Sequence, residues 1–383
     1  MHKTGIEDYY ITKNNKKLQY GYTTGTCAAA ASKAAAITLI TGKLIEEVEI
    51  DTPKGIRLKL QVKCEACDER KIKGTVIKYS GDDPDVTNGM PVCAIVSTRE
   101  DGSITLDGGE GVGRVTKAGL EQEIGQAAIN RIPRKMILQE LENIKEDFDV
   151  KEGFHTEILL PMGKELALRT FNPRLGIEGG LSILGTSGIV EPMSEAAIID
   201  SIRLELKQKR NQGKDFVMIT PGNYGADFLR ETLPLNDDDI VKCSNYLGVT
   251  IDILNELEFK EVLFISHIGK FIKVAGGIMN THSREADSRM EILAANAILA
   301  GLDRENAAKV LECVNTDDGL EVIKSCEALE KTMELVGDKI DFYLNNRSYG
   351  KFKTGAIIFS NRHGVLCKCG DADEIIEKYG RKK

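Results

Sequence analysis

The stretch Val262-Leu-Phe-Ile-Ser-His-Ile-Gly-Lys270 decides how the second half of the chain is read. Four apolar residues run without a polar break and then give way to a loop carrying hydroxyl, imidazole, glycine and ammonium. A strand with one wet face alternates apolar and polar residues, whereas a strand covered on both faces has no such need, so this run predicts part of a mostly parallel sheet. Phe216-Val-Met-Ile219 repeats the form before Thr220-Pro-Gly-Asn-Tyr-Gly225, Leu181-Ser-Ile-Leu184 precedes Thr186-Ser-Gly-Ile-Val-Glu-Pro192, and Ala356-Ile-Ile-Phe359 supplies a late strand. Helical spacing fills the intervals at 194–209, 223–232 and 288–300. Strands alternating with helices imply α/β architecture. In such sheets ligands bind where loops leave the carboxyl ends of the strands. Thr186, Ser187, Gly188, Thr220, Gly222, Asn223, Gly225, Ser266 and Gly269 are therefore the residues expected to hold a cofactor, although tight turns use the same residue types. His267, in a polar glycine-flanked loop, is a candidate proton acceptor.

Upstream the pattern differs. Thr23-Thr-Gly-Thr26 leads into an alanine-rich helix that should end near Thr41, with Gly42 as its left-handed stop. Alternating segments at 47–50, 56–62, 72–79, 92–97 and 104–106 read as a sheet. A second helix is expected from Thr116, interrupted or restarted at Pro133 and reaching about Ile144. His155–Leu160 and Glu165–Phe171 read as a hairpin, and Gly176, Gly179 and Gly180 as a junction. The expectation is two domains: an N-terminal α+β domain over residues 1–178 and a C-terminal α/β domain with a mostly parallel sheet over 179–383.

The first half carries its own chemistry. Asp107-Gly-Gly-Glu-Gly-Val-Gly113 lies between an expected strand and an expected helix, which makes Asp107, Gly109, Gly111 and Gly113 a rival cofactor site, an anion cradle or a tight turn; Arg114 and Lys117 favour an anion. Asp83 and Asp85, beside Pro84, could bind a hard cation, act as bases or form a solvated turn. Nine cysteines, an odd number, read as reduced thiols; the pairs Cys64/Cys67 and Cys367/Cys369 lack companions at zinc spacing, so no metal site is expected on the protein.

Charge and hydropathy exclude other classes. A net charge of −8 argues against a nucleic-acid binder. The longest apolar stretch, 28–40, is too short for a membrane span and the N-terminus lacks a secretory apolar core, so a cytoplasmic protein is expected.

Six blocks in order, Gly21-Tyr-Thr-Thr-Gly-Thr-Cys-Ala28, Gly81-Asp-Asp-Pro-Asp-Val-Thr87, Gly108-Gly-Glu-Gly-Val-Gly-Arg-Val-Thr-Lys117, Asn172-Pro-Arg-Leu-Gly-Ile177, Leu184-Gly-Thr-Ser-Gly-Ile189 and Asn280-Thr-His-Ser283, together resemble the cobalt-precorrin-5B C1-methyltransferase family over nearly the whole chain. The resemblance implies methyl transfer from S-adenosylmethionine to C-1 of a cobalt-tetrapyrrole in anaerobic cobalamin biosynthesis, giving cobalt-precorrin-6A, with the cobalt carried by the substrate. A macrocycle bearing acetate and propionate groups would be held by Thr23, Thr24, Gly25, Thr26, Arg114, Lys117 and Arg174 in the first domain, and the donor by the second. Without the resemblance, a small-molecule kinase with a glycine-rich phosphate loop or a non-catalytic corrinoid carrier would also suit; ATP turnover and a donor-dependent change in macrocycle mass separate the three.

Overall fold

The computed structural model describes residues 4–380 apart from 14, 69, 171, 174, 223, 224 and 226–234. Arg174, Asn223 and the helix expected at 223–232 therefore lie wholly or mostly outside the described residues. The chain divides into two units, Met1–Ser194 and Glu195–Lys383.

Helix α1 (Thr24–Thr41) organises the first unit. Thr23 accepts the Thr26 amide as N-cap, and Gly42 closes the helix at φ 69°. Ala28–Ala31 and Ala34–Ala36 are all fully buried, so most of this helix's circumference is covered, with a stripe of Lys33, Ile37, Ile40 and Thr41 reaching solvent, and its small side chains let neighbours approach closely. One neighbour is a five-stranded sheet of β1 (Lys63–Asp68), β2 (Lys71–Ile77), β3 (Pro91–Arg99), β4 (Ile104–Gly108) and β5 (Gly153–Leu159), in the order β1-β2-β3-β5-β4. Neighbouring strands are antiparallel except β4 and β5. At Gly74 on β2, a Cβ would lie 2.3 Å from the Ala31 carbonyl oxygen, so helix and sheet touch backbone to backbone. Helix α2 (Arg131–Asp147) packs on α1 as well.

Three expectations need correction here. No helix starts at Thr116: residues 116–130 run through turns and isolated bridges, and α2 begins at Arg131 with Pro133 in its first turn, where the missing N–H breaks no intrahelical bond. The second arm of the supposed hairpin is a short helix, Gly163–Ala167, in which the adjacent Leu166 and Ala167 are both buried, as a strand with one covered face would not allow. Leu181–Leu184 contributes bridges from Leu181 to Val112 and Ile183 to Ile129, and both side chains lie in the first unit's core. The glycines at 176–180 thus fall inside the first unit.

The second unit is built on β6 (Phe216–Thr220), β7 (Ile240–Lys242), β8 (Glu261–His267), β9 (Lys353–Ser360) and β10 (Gly364–Gly370), in the order β7-β6-β8-β9-β10. The first four are parallel and β10 is antiparallel to β9. Both faces of the central strands are covered: Val217, Ile219, Val262 and Phe264 join one apolar cluster, while their neighbours Phe216, Met218, Leu263 and Ile265 join another. Helices α3 (Glu195–Asn211), α4 (Leu247–Glu256), α5 (Arg289–Leu299), α6 (Arg304–Glu312), α7 (Thr316–Ser325) and α8 (Leu329–Ser348) contribute to the first face, and α9 (Ala372–Tyr379) covers the second. After β6 the chain adds β7 on one side and then crosses to place β8 on the other, so the order reverses between β6 and β8. Among the described residues, no helix is long and apolar enough to cross a membrane.

Candidate cofactor site

A cleft of about 370 Å³ opens where the strand order reverses, at the carboxyl ends of β6 and β8. Small-molecule sites usually span about 300–1,000 Å³, and this position is where open parallel sheets bind ligands. Pro221, Gly222 and Gly225 line it after β6, Ser266 and His267 at the end of β8 with Gly269 and Lys270 beyond it, and Asn315, Thr316 and Asp317 at the start of α7. Two of the three loops expected to hold a cofactor therefore meet, and Thr220 lies at the end of β6, fully buried, with its hydroxyl donating to Gly222 O at 3.1 Å.

Of the three glycines that line the cleft, Gly222 has the most room among the described residues. Among the described residues, no atom lies within 4 Å of where its Cβ would stand, and its φ is outside the left-handed region. The glycine leaves room rather than permitting a turn. At Gly269 a Cβ would come 3.3 Å from His267 Nδ1 and 3.5 Å from Thr316 Oγ1, so the floor beside it is narrow.

His267 is fixed by its neighbours. Its Nδ1 accepts the Gly269 amide at 3.1 Å, its ring stands edge-on to Phe359 with centroids 5.6 Å apart, and its Nε2 is 3.8 Å from Asp317 Oδ2. Burial lowers its pKa below the ordinary 6.5, with Asp317 pulling partly the other way. In the neutral ring the proton must sit on Nε2, because Nδ1 is taken by an N–H. Nδ1 is thereby committed as an acceptor, and the ring is set to donate through Nε2 rather than to take a proton. Asp317 is oriented in turn by the Ser360 hydroxyl, which donates to its Oδ1.

Thr186, Ser187 and Gly188 are elsewhere. Gly188 O accepts the Thr26 hydroxyl at 2.7 Å and the Thr23 amide at 3.1 Å, and Ile189–Val190 pairs with Gly21–Tyr22, so this loop closes over the start of α1 in the first unit. The carboxylate-binding role read into Thr23, Thr24, Gly25 and Thr26 meets the same packing. All four are buried, the Gly25 amide donates to Leu184 O, the Thr26 amide to Thr23 Oγ1, and a Cβ on Gly25 would strike Pro133 at 2.7 Å.

The glycine-rich loop at 107–113 is filled by the chain itself. A Cβ on Gly111, whose φ is 73°, would stand 1.8 Å from Leu160 O, one on Gly113 2.4 Å from the Ile177 side chain, and one on Gly109 2.4 Å from the Glu157 carboxylate. These glycines serve close chain crossings and no helix follows, which removes the geometric basis for a phosphate cradle. Asp107 binds Arg114 through two bonds of 2.8 and 3.0 Å, and Arg114 also donates to Gly108 O, so neither is uncommitted. Lys117 is exposed and packs along Gly176.

The acidic turn is structural as well. Asp83 accepts the Met193 amide at 2.9 Å. Asp85 takes the Lys78 ammonium and both the amide and hydroxyl of Thr87; burial pushes its carboxyl up, but these partners outweigh it and hold it below the usual range. Among the described residues, no three His, Cys, Asp or Glu side chains are grouped to hold a metal ion.

Sequence reading missed the contribution of Asn315–Asp317. Its only local signal is a helix cap, Asn315 accepting the Asp318 amide, which says nothing of the strand ends it will face.

Residues 11–192 match the family model CbiD, and residues 280–370 match CbiD, C-terminal domain. A protein of Ruminiclostridium cellulolyticum called cobalt-precorrin-5B C(1)-methyltransferase is 47% identical over 93% of this chain and 93% of its own length. The chain belongs to the CbiD family. A relative of the same name from Alkaliphilus metalliredigens is 45% identical over 96% of this chain and 97% of its own. A solved structure, described as cobalamin biosynthesis protein (cbiD) from Archaeoglobus fulgidus, is 27% identical, covering 72% of this chain and 86% of that one, with a TM-score of 0.41. Within this CbiD chain the loops after β6 and β8 lie between the two family-model matches, while Asn315–Asp317 lies inside the C-terminal one.

Proposed function

We propose that this chain is an S-adenosylmethionine-dependent methyltransferase that methylates C-1 of cobalt-precorrin-5B to give cobalt-precorrin-6A, working in the cytoplasm. The carrying observation is the 47% identity over 93% of both chains to a relative named for that reaction. Neither a kinase nor a carrier has comparable support. The cobalt is part of the substrate.

The donor's residence is the cleft between the ends of β6 and β8. Its size, the open space at Gly222 and the donors lining it fit a nucleoside-bearing ligand. Bound there, the donor supplies an electrophilic methyl group on sulfonium. The chain's part is to hold methyl group and carbon nucleophile in line and to keep the approach dry, which can account for much of the acceleration without a catalytic base. Gly222 and Gly269 let backbone come close, and His267 offers its Nε2–H as a fixed donor. The macrocycle's acetate and propionate groups fall to the first unit, where Lys117 and the groove of Arg131, Arg134 and Lys135 at the start of α2 present cations.

Replacing Gly222 with Leu tests the donor site. Among the described residues nothing obstructs a side chain there and its φ is outside the left-handed region, so the variant should fold with an unchanged melting temperature yet lose S-adenosylhomocysteine binding by at least about 30-fold in calorimetry, since the side chain would occupy the ligand's space. Wild-type affinity in this variant would move the donor elsewhere.

A further inference from the structure

Lys270 differs from the other charged groups around the cleft in what it bonds. Its Nζ donates to Pro221 O at 3.0 Å and to Asn245 Oδ1 at 2.9 Å, both neutral acceptors. The Thr281 hydroxyl donates to that same Asn245 oxygen at 3.3 Å and so fixes the amide's orientation. An ammonium has three N–H groups, and among the described residues the third has no acceptor. The other charges of the cleft are matched: Arg289 is bound by Asp287 at 2.6 and 2.9 Å, and Asp317 accepts the Ser360 hydroxyl and faces His267. Lys270 is half-buried, with no carboxylate within ion-pair distance among the described residues. A cation that has lost part of its water and gained only two dipoles attracts an anion strongly, because its field is poorly screened. Burial also lowers its pKa, the expected sign for an ammonium short of negative partners.

We infer that Lys270 binds a carboxylate of the cleft's ligand, the carboxylate of the amino-acid end of the methyl donor. This rests on the cleft being the donor site. It assigns direction to the ligand: the amino-acid end lies against Lys270 between the Pro221 and Gly269 loops, and Asp317, in the same lining, is left to face the positive part of that end. Selection against nucleosides that lack the carboxylate follows, since each would leave the ammonium buried beneath it unmatched.

The test is calorimetric titration of wild-type, Lys270→Met and Lys270→Arg proteins with S-adenosylhomocysteine and with its decarboxylated analogue, S-adenosyl-3-thiopropylamine. Lys270→Met should weaken S-adenosylhomocysteine by about 10- to 100-fold while changing the analogue's affinity by no more than about twofold, and Lys270→Arg should recover part of the loss. Equal weakening of both ligands would show that Lys270 only supports the loops, and unchanged affinity for S-adenosylhomocysteine would show that the carboxylate is held elsewhere; either overturns the inference while leaving the donor site standing. Full S-adenosylhomocysteine binding by Gly222→Leu would remove the donor site and this inference together.

Discussion

Asp85 shows how far a single residue's chemistry can be read before its neighbours are known. Three carboxylates beside a proline suggest a cation site or a base, yet the Lys78 side chain is 3% exposed and Asp85 is its counter-charge. What sequence could not supply was the position of Lys78, which reaches the turn from the end of β2. Replacing Asp85 with Asn leaves that ammonium buried and unmatched, and should cost about 3 kcal/mol in urea denaturation while turnover per folded molecule is kept. The pH dependence has a definite sign. A carboxyl whose folded pKa lies below the ordinary 3.8 contributes stability that is present above 3.8 and lost as pH falls through the folded value, so the variant should lose that part of the acid slope. The same limit applies at His267, whose polar loop suggested a proton acceptor until the Gly269 amide was found on Nδ1. That Gly222 and Gly269 lie in loops at strand ends could be read from sequence, whereas the surroundings of Lys270 and Asp317 come from contacts distant in sequence.

Elements were legible where one physical cause acts alone. The alanine-rich α1 ends at Gly42 as propensity and capping dictate, and the runs of β6, β8 and β9 are strands because continuous apolar sequence needs cover on both faces. Reading failed where tertiary contact overrides local pattern. Thr116 could cap a helix, but its amide and hydroxyl both donate to Gly176 O, which ties the segment to the chain beyond β5. Glu165–Phe171 could alternate, but a Cβ on Gly163 would lie 2.1 Å from Gly111 O, and that crossing starts a helical turn instead. The contact of α1 with β2 gives the element-scale prediction: Gly74→Ala forces a methyl group onto the Ala31 carbonyl and should destabilise the first unit by about 1–3 kcal/mol in urea unfolding, with no change in affinity for S-adenosylhomocysteine. A loss below about 0.5 kcal/mol would mean that α1 shifts on the sheet without strain.

At the scale of the whole molecule, the α+β first half and the α/β second half were legible from the change in hydrophobic period, because a wet-faced sheet and a doubly covered one demand different sequences. The extent of the first unit was less so. Glycines at 176–180 look like a linker, yet Gly180 is there because a Cβ would stand 2.0 Å from Gly111 O, and the following Leu181 and Ile183 complete that unit's core. Loop 186–188 was accordingly grouped with the wrong sheet, while the loops after β6 and β8 were grouped correctly by form alone. Membership of the CbiD family and the reaction in the names of its relatives carry the proposed chemistry, and its assignment to the cleft is our proposal. The direct test is anaerobic incubation of the protein with cobalt-precorrin-5B and methyl-labelled S-adenosylmethionine, following the label by mass and locating it by NMR. Label at C-1 of the macrocycle, with S-adenosylhomocysteine formed in equal amount, is the predicted result; no transfer to intact substrate by folded protein, or label at another carbon, would contradict it.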